Sequence, residues 1–166
     1  MIGITTFSFA VRLASLPLYV PPTWPLKVKD GRQIPSEAEC FFRGSLECSV
    51  ESKLADKSIW PIDRDGKNLA WCIQGVVRKI PEALAWFERL DRKDEVLRIL
   101  QHEEGSMSSL WGFGRNPSPI RSYLTGYVAL SLGDRNLAQV KFQEAMDSKC
   151  FVSLFTSVEG AIYRGV

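Results

Sequence analysis

The apolar residues of this chain change their spacing once, near residue 66, and that change limits the fold more than any other feature. Before it, apolar and polar positions alternate. Phe7, Phe9, Val11 and Leu13 interleave with Ser8, Ala10, Arg12 and Ala14, the period of two of a half-buried strand. Cys40, Phe42, Gly44, Leu46, Cys48 and Val50 alternate in the same way with Glu39, Phe41, Arg43, Ser45, Glu47 and Ser49. Residues 39–50 therefore predict a strand with one face on a core and one more polar. From residue 67 the repeat becomes helical. Leu69, Ile73, Val76, Val77 and Ile80 recur at three and four, as do Ala83, Leu84, Phe87 and Leu90, with Trp86 at the edge. A chain of 166 residues with 45% hydrophobic content suits one packed domain. The expectation is an α+β fold in a single domain, 1–166. An N-terminal antiparallel sheet (1–65, mainly strands) packs against a C-terminal helical half (66–166).

Local signals place the boundaries. Residues 4–20 predict one long strand or two short ones, broken near Leu16-Pro17. Residues 21–36 are rich in Pro and Gly and predict a connection, with a short extended piece at Leu26–Val28. Ile59-Trp60-Pro61-Ile62 predicts an edge strand, because Pro lacks a ladder donor, and Asp65-Gly66 a turn. Pro81 suits the first turn of a second helix, and Asp91 can cap a third that ends before Gly105. Residues 105–118 read as loop. Ser118-Pro119 opens a helix over about 119–132, Gly133-Asp134 separates it from another over 134–148, and Thr156 has capping-box spacing to Glu159.

Two stretches resemble known families. Gly126, Gly133, Ala138, Phe142 and Ala145 resemble the small and aromatic signature positions of a single tetratricopeptide repeat over roughly 119–150. The pattern departs at Ser122, where that family has a large aromatic residue, and at Cys150, where it usually has Pro. One such repeat cannot bury its own face, so the resemblance implies a helix pair docked on the rest of the fold, without the family's peptide groove. Glu39-Cys40-Phe41-Phe42-Arg43-Gly44-Ser45-Leu46, then Trp60-Pro61-Ile62, then Ile80-Pro81-Glu82-Ala83-Leu84-Ala85-Trp86-Phe87, are similar to a bacterial family of small α+β proteins of unknown function. That resemblance implies the fold and brings no catalytic residues. Against that family's layout the chain begins late, without the helix and strand expected before Phe7–Leu13.

Charge and composition narrow the function. Lys and Arg number 21 and Asp and Glu 19, a net charge of +2, unlike the strongly basic balance of a dedicated nucleic-acid binder. No run reaches the roughly 18–20 apolar residues of a membrane span. The apolar first twenty residues read as strand and not as a secretory leader, since no basic region opens them and Arg12 interrupts the run. Cys40, Cys48, Cys72 and Cys150 form no CxxC pair and are expected as reduced thiols of a cytoplasmic protein. The sole histidine, His102, has no nucleophile or orienting group suggested beside it. It reads as a solvated residue at a helix C-terminus. Trp60, Trp71 and Trp86 read as core or its rim.

Two features remain as candidate contact sites. Glu37, Glu39, Glu47, Glu51 and Asp56 could form an acidic stripe, in which Glu39, Glu47 and Glu51 share strand parity with Arg43. Carboxylates four or more apart on a strand are roughly 13 Å apart, too far for a glycosidase pair but suited to a basic partner. Trp111, Phe113 and Arg115 carry residue types favoured at interface hot spots, on a glycine-rich loop that lacks a phosphate motif. For both, the plainer readings are a solvated sheet face and a loop anchored in the core. The functional expectation is a non-enzymatic protein-binding protein without a cofactor or metal. Its most concrete form is a bacterial immunity protein that neutralises a cognate toxin by stoichiometric binding. The alternative is a structural or adaptor subunit that docks or self-associates through its helical hairpin. An enzyme of unrecognised type ranks third.

Overall fold

The computed structural model describes residues 7–23, 25–48, 57–102, 118–150 and 154–165. The expected α+β layout is present, with strands before residue 63 and helices after residue 68. The strands form three separate antiparallel pairs. β1 (Phe7–Ala10) pairs with β6 (Ile59–Ile62), β2 (Arg12–Ser15) with β5 (Phe42–Ser45), and β3 (Val28–Lys29) with β4 (Arg32–Gln33). The long N-terminal run breaks at Val11, earlier than the proline suggested, so its two halves take different partners. The Pro- and Gly-rich connection holds the β3–β4 hairpin. Asp30 and Gly31 both have positive φ, 52° and 74°, as a two-residue turn matched to strand twist requires.

The strand expected over residues 39–50 is shorter. Glu37–Glu39 form a 3-10 turn, and the ladder runs only from Phe42 to Ser45. Here Ser36 N–H donates to Glu39 Oε2 at 2.6 Å, which satisfies the turn and removes Glu39 from any strand. Phe41 is buried as well as Phe42, contrary to simple alternation.

Six α-helices lie among the described residues: α1 (Leu69–Arg78), α2 (Ile80–Asp91), α3 (Lys93–Gln101), α4 (Pro119–Ser131), α5 (Arg135–Asp147) and α6 (Val158–Arg164). Asp91 closes α2, and Arg92 takes the cap position of α3. Asp134 caps α5, accepting from Leu137 N–H at 3.0 Å. Ser157, one residue beyond the expected Thr156, caps α6 by accepting from Gly160 N–H at 3.0 Å.

Two apolar clusters hold these elements. The larger gathers Phe41 and Phe42 from the strand half with Leu90, Val96, Leu100, Tyr123, Tyr127, Phe142 and Phe155 from the helices. The smaller joins Cys48, Trp60 and Cys72, with Phe9 and Val76 against them, and fixes α1 on β6. Two buried tyrosine hydroxyls find acceptors. Tyr123 donates to the Pro21 carbonyl at 2.7 Å and Tyr127 to the Ala161 carbonyl at 3.0 Å. Burial pushes the Tyr127 hydroxyl up to about 12, so it stays protonated.

The α4–α5 hairpin depends on small residues, as the sequence implied. Gly133 turns the chain at φ 85°. A Cβ at Gly126 would lie 2.5 Å from Phe142 Cε1, inside contact distance. Phe142 cannot retreat easily, because its ring meets Tyr127 and Phe155 edge-on at 4.7 and 6.1 Å. Gly126→Ala gains helix propensity of about 1 kcal/mol but overpacks a closed site at about 1–3 kcal/mol. The expected net result is a loss of about 1 kcal/mol in urea unfolding, and an unchanged or higher midpoint would show that the Phe142 ring can move aside.

Candidate functional surface

Of the residues singled out from the sequence by strand parity, Glu39, Arg43 and Glu47 are described, and these three do not share one strand face. Arg43 lies on β5 opposite Ala14, and its guanidinium donates to the carbonyls of Ala38 at 2.7 Å and Cys40 at 3.1 Å. It therefore closes the turn that precedes its own strand. Glu39 caps that turn, and the hydrogen bond from the Ser36 backbone lowers its carboxyl pKa. Glu47 is exposed beyond the end of β5. The stripe expected along one strand face is thus split between a turn, a strand and a connection. Glu51, Asp56, Trp111, Phe113 and Arg115 lie outside the described residues.

The remaining chemistry is structural. His102 caps α3, its N–H donating to the Ile99 carbonyl at 3.2 Å and its carbonyl accepting from Arg121 Nη1 at 2.9 Å. Cys40, Cys48 and Cys72 are buried, Cys150 is exposed, and all four are free thiols. Cys72 donates to the Pro61 carbonyl at 3.4 Å, and burial raises its pKa. Among the described residues no group of three His, Cys, Asp or Glu is placed to hold a metal ion. No helix there is long and apolar enough to cross a membrane. A groove of about 510 Å³ between α5 and α6 is lined by Val140, Val158, Glu144, Asp147 and Glu159. Two of its carboxylates are already engaged: Glu144 by Lys141 and Ser122, Asp147 by Gln143.

The prominent surface is formed by residues of the apolar helical repeat. Leu69, Ile73 and Val77 on α1, then Ile80, Leu84 and Phe87 on α2, are each between 38% and 57% exposed. The buried positions of α1 are Cys72 and Gly75, with Val76 half-buried beside them. On α2 they are Leu90, with Ala83 and Trp86 half-buried. The inward face is therefore offset from the apolar stripe by about one residue position. Trp71, expected in the core or at its rim, lies on neither buried face and is also exposed. The cause is Gly75. A Cβ there would stand 2.5 Å from Trp60 Cζ3, so only a bare backbone can meet the fully buried Trp60 ring. That contact rotates α1 and turns its larger side chains outward.

The stripe is continuous across the junction. Lys79 alone separates the helices, with φ −90° and ψ −4°, close to helical. Steps of four, three, four and three residues run from Ile73 to Phe87, the spacing of a helix seam made to meet another helix. The six exposed side chains present on the order of 600 Å², the top of the range for the largest apolar patch on a monomer and one that marks interaction sites. Sequence periodicity found these residues but not their direction. The small residues Cys72 and Gly75 lie on the opposite, buried face.

The chain matches no protein-family model, no curated protein and no solved structure.

An ion cluster links α2 to α3. Glu95 accepts from Arg98 at 2.7 and 2.8 Å and from Arg89 of α2 at 3.3 Å. These hydrogen bonds, led by Arg98, hold the Glu95 carboxyl at about 2, below its ordinary 4.5. A lowered carboxyl pKa contributes stability above the unfolded value, and that contribution fades as pH falls toward the folded value. Glu95→Gln should therefore lower the melting temperature at pH 7 and lose most of that effect between about pH 4.5 and pH 2. Melts of both proteins across that range check it, and a gap that is constant with pH would show that the carboxylate charge contributes nothing.

Proposed function

We propose that this protein acts by binding another protein on the α1–α2 apolar stripe and not by catalysis. The stripe itself carries the reading: six exposed apolar side chains at helix-seam spacing, held rigidly by Gly75 on Trp60 and by Glu95 between α2 and α3. A rigid, preformed apolar face loses little entropy on binding and keeps its affinity in salt. The most concrete form of the reading is a bacterial, cytoplasmic immunity protein that occludes a cognate toxin stoichiometrically. A net charge of +2 means that such a partner would be recognised by shape and apolar contact more than by long-range attraction. Docking through the α4–α5 hairpin has less to support it, since α4 is buried from Arg121 to Ala129 and the pair leaves mainly Leu132 and Val140 in the open.

The wild-type protein and a Leu84→Asp variant, used as bait in a lysate of the source cells, test this reading. One stoichiometric partner should survive a high-salt wash on the wild type. On the variant it should be lost, with affinity reduced on the order of 100-fold, because a charge then meets an apolar contact. Growth arrest by that partner alone would give the immunity form. A partner held equally by Leu84→Asp but lost from Val140→Asp would move the function to the hairpin.

A further inference from the structure

We propose that the free protein covers the α1–α2 stripe with a second copy of itself, packed antiparallel across a two-fold axis near residue 78. This rests on reading the stripe as a protein-binding face, and it names an occupant. A two-fold interface must be complementary to its own reverse. The inner stripe meets that condition. Its spacing from Ile73 through Val77 and Ile80 to Leu84 is four, three, four, which reads the same in both directions. Rotation places Ile73 against Leu84 of the second copy, Val77 against Ile80, and Leu69 near Phe87.

The flanks agree with that direction. Antiparallel packing brings Lys67, which pairs with Asp65 of its own chain at 2.6 Å, beside Glu88 and Asp91 at the end of α2 in the other copy, and sets Arg78 beside Lys79 at the axis. The flanking residues Ala70 and Ala85 are small and exposed, so the two backbones can approach closely. Two stripes would bury on the order of 1,200 Å² in total, the lower limit for a specific interface. The dimer is therefore weak and concentration-dependent. A partner that needs the same stripe must compete with it, so self-association sets the free fraction of binding-competent protein.

Sedimentation equilibrium over about 1–200 μM, a range that brackets micromolar affinity, tests the proposal. The expected result is a reversible monomer–dimer equilibrium that Leu84→Glu weakens at least tenfold and Val140→Glu leaves unchanged. Circular dichroism and melting temperature confirm that each variant is folded. Lys67→Glu should weaken the dimer a few-fold, and adding Glu88→Lys should restore it, which tests the antiparallel sense separately. A protein monomeric throughout, or a dimer indifferent to Leu84→Glu, overturns the proposal. Failure of self-association stays distinct from failure of the binding reading. A monomer that captures a partner only with Leu84 intact keeps the binding face and removes the second copy. A dimer broken by Leu84→Glu that captures nothing else keeps the second copy and removes the heterologous partner.

Discussion

The contact between Trp60 and Gly75 decides what this molecule shows to its surroundings. Trp60 is fully buried on β6, and its indole N–H donates to the Leu46 carbonyl at 3.3 Å, so the ring has one orientation. It stacks on Phe9 with ring centres 6.0 Å apart, which closes its other face. The remaining side accepts only a helix backbone, and α1 provides one at Gly75. Once that contact is made, the rotation of α1 about its own axis is fixed. Leu69, Ile73 and Val77 then have no inward direction left. Because Lys79 continues nearly helical into α2, the same rotation passes to Ile80, Leu84 and Phe87.

The same device operates in the helical half with the opposite outcome. Phe142 reaches the α4 backbone at Gly126, as Trp60 reaches α1 at Gly75. In the hairpin, however, both helices meet further layers. α4 is enclosed by α3, α5 and the Phe41–Phe42 segment, so its large residues are buried on every side. The contrast lies in the neighbours and not in the helices. A glycine contact that seats a helix within the core makes stability, whereas one that seats it at the edge leaves a surface.

How much of this was legible follows from which interactions are local. The change from a two-residue to a helical period gave the division between strands and helices, because periodicity is a property of one element at a time. Caps and turns at Asp134, Gly133 and Asp65-Gly66 were legible for the same reason. The strand over 39–50 was overread because alternation continued through residues that a local hydrogen bond, Ser36 to Glu39, withdraws from the ladder. Glu39 leaves the strand with it, and Arg43 serves its own turn. The orientation of α1 was not legible. It depends on Trp60 and Gly75, 15 positions apart, and a tertiary contact of that kind leaves no periodic trace. The repeat therefore identified the apolar residues of α1 and α2 without dividing them into those that face inward, such as Val76 and Leu90, and those left outside.

The near-balance of charge gives the exposed stripe its consequence. A protein with a large net charge can leave an apolar face uncovered, because mutual repulsion keeps copies apart. This chain carries +2 across 166 residues, and the charges beside the stripe are of both signs: Lys67 at one end, Arg78 near the middle, Glu88 and Asp91 at the other. Neither net repulsion nor a one-signed flank opposes association. Six large apolar side chains on a rigid helix pair then favour coverage by something apolar and roughly helical. The polar residues surrounding them set its direction more than its strength. A stripe whose spacing matches its own reverse, on a chain with almost no net charge, always has one suitable occupant within reach, and any other partner must bind better than that one.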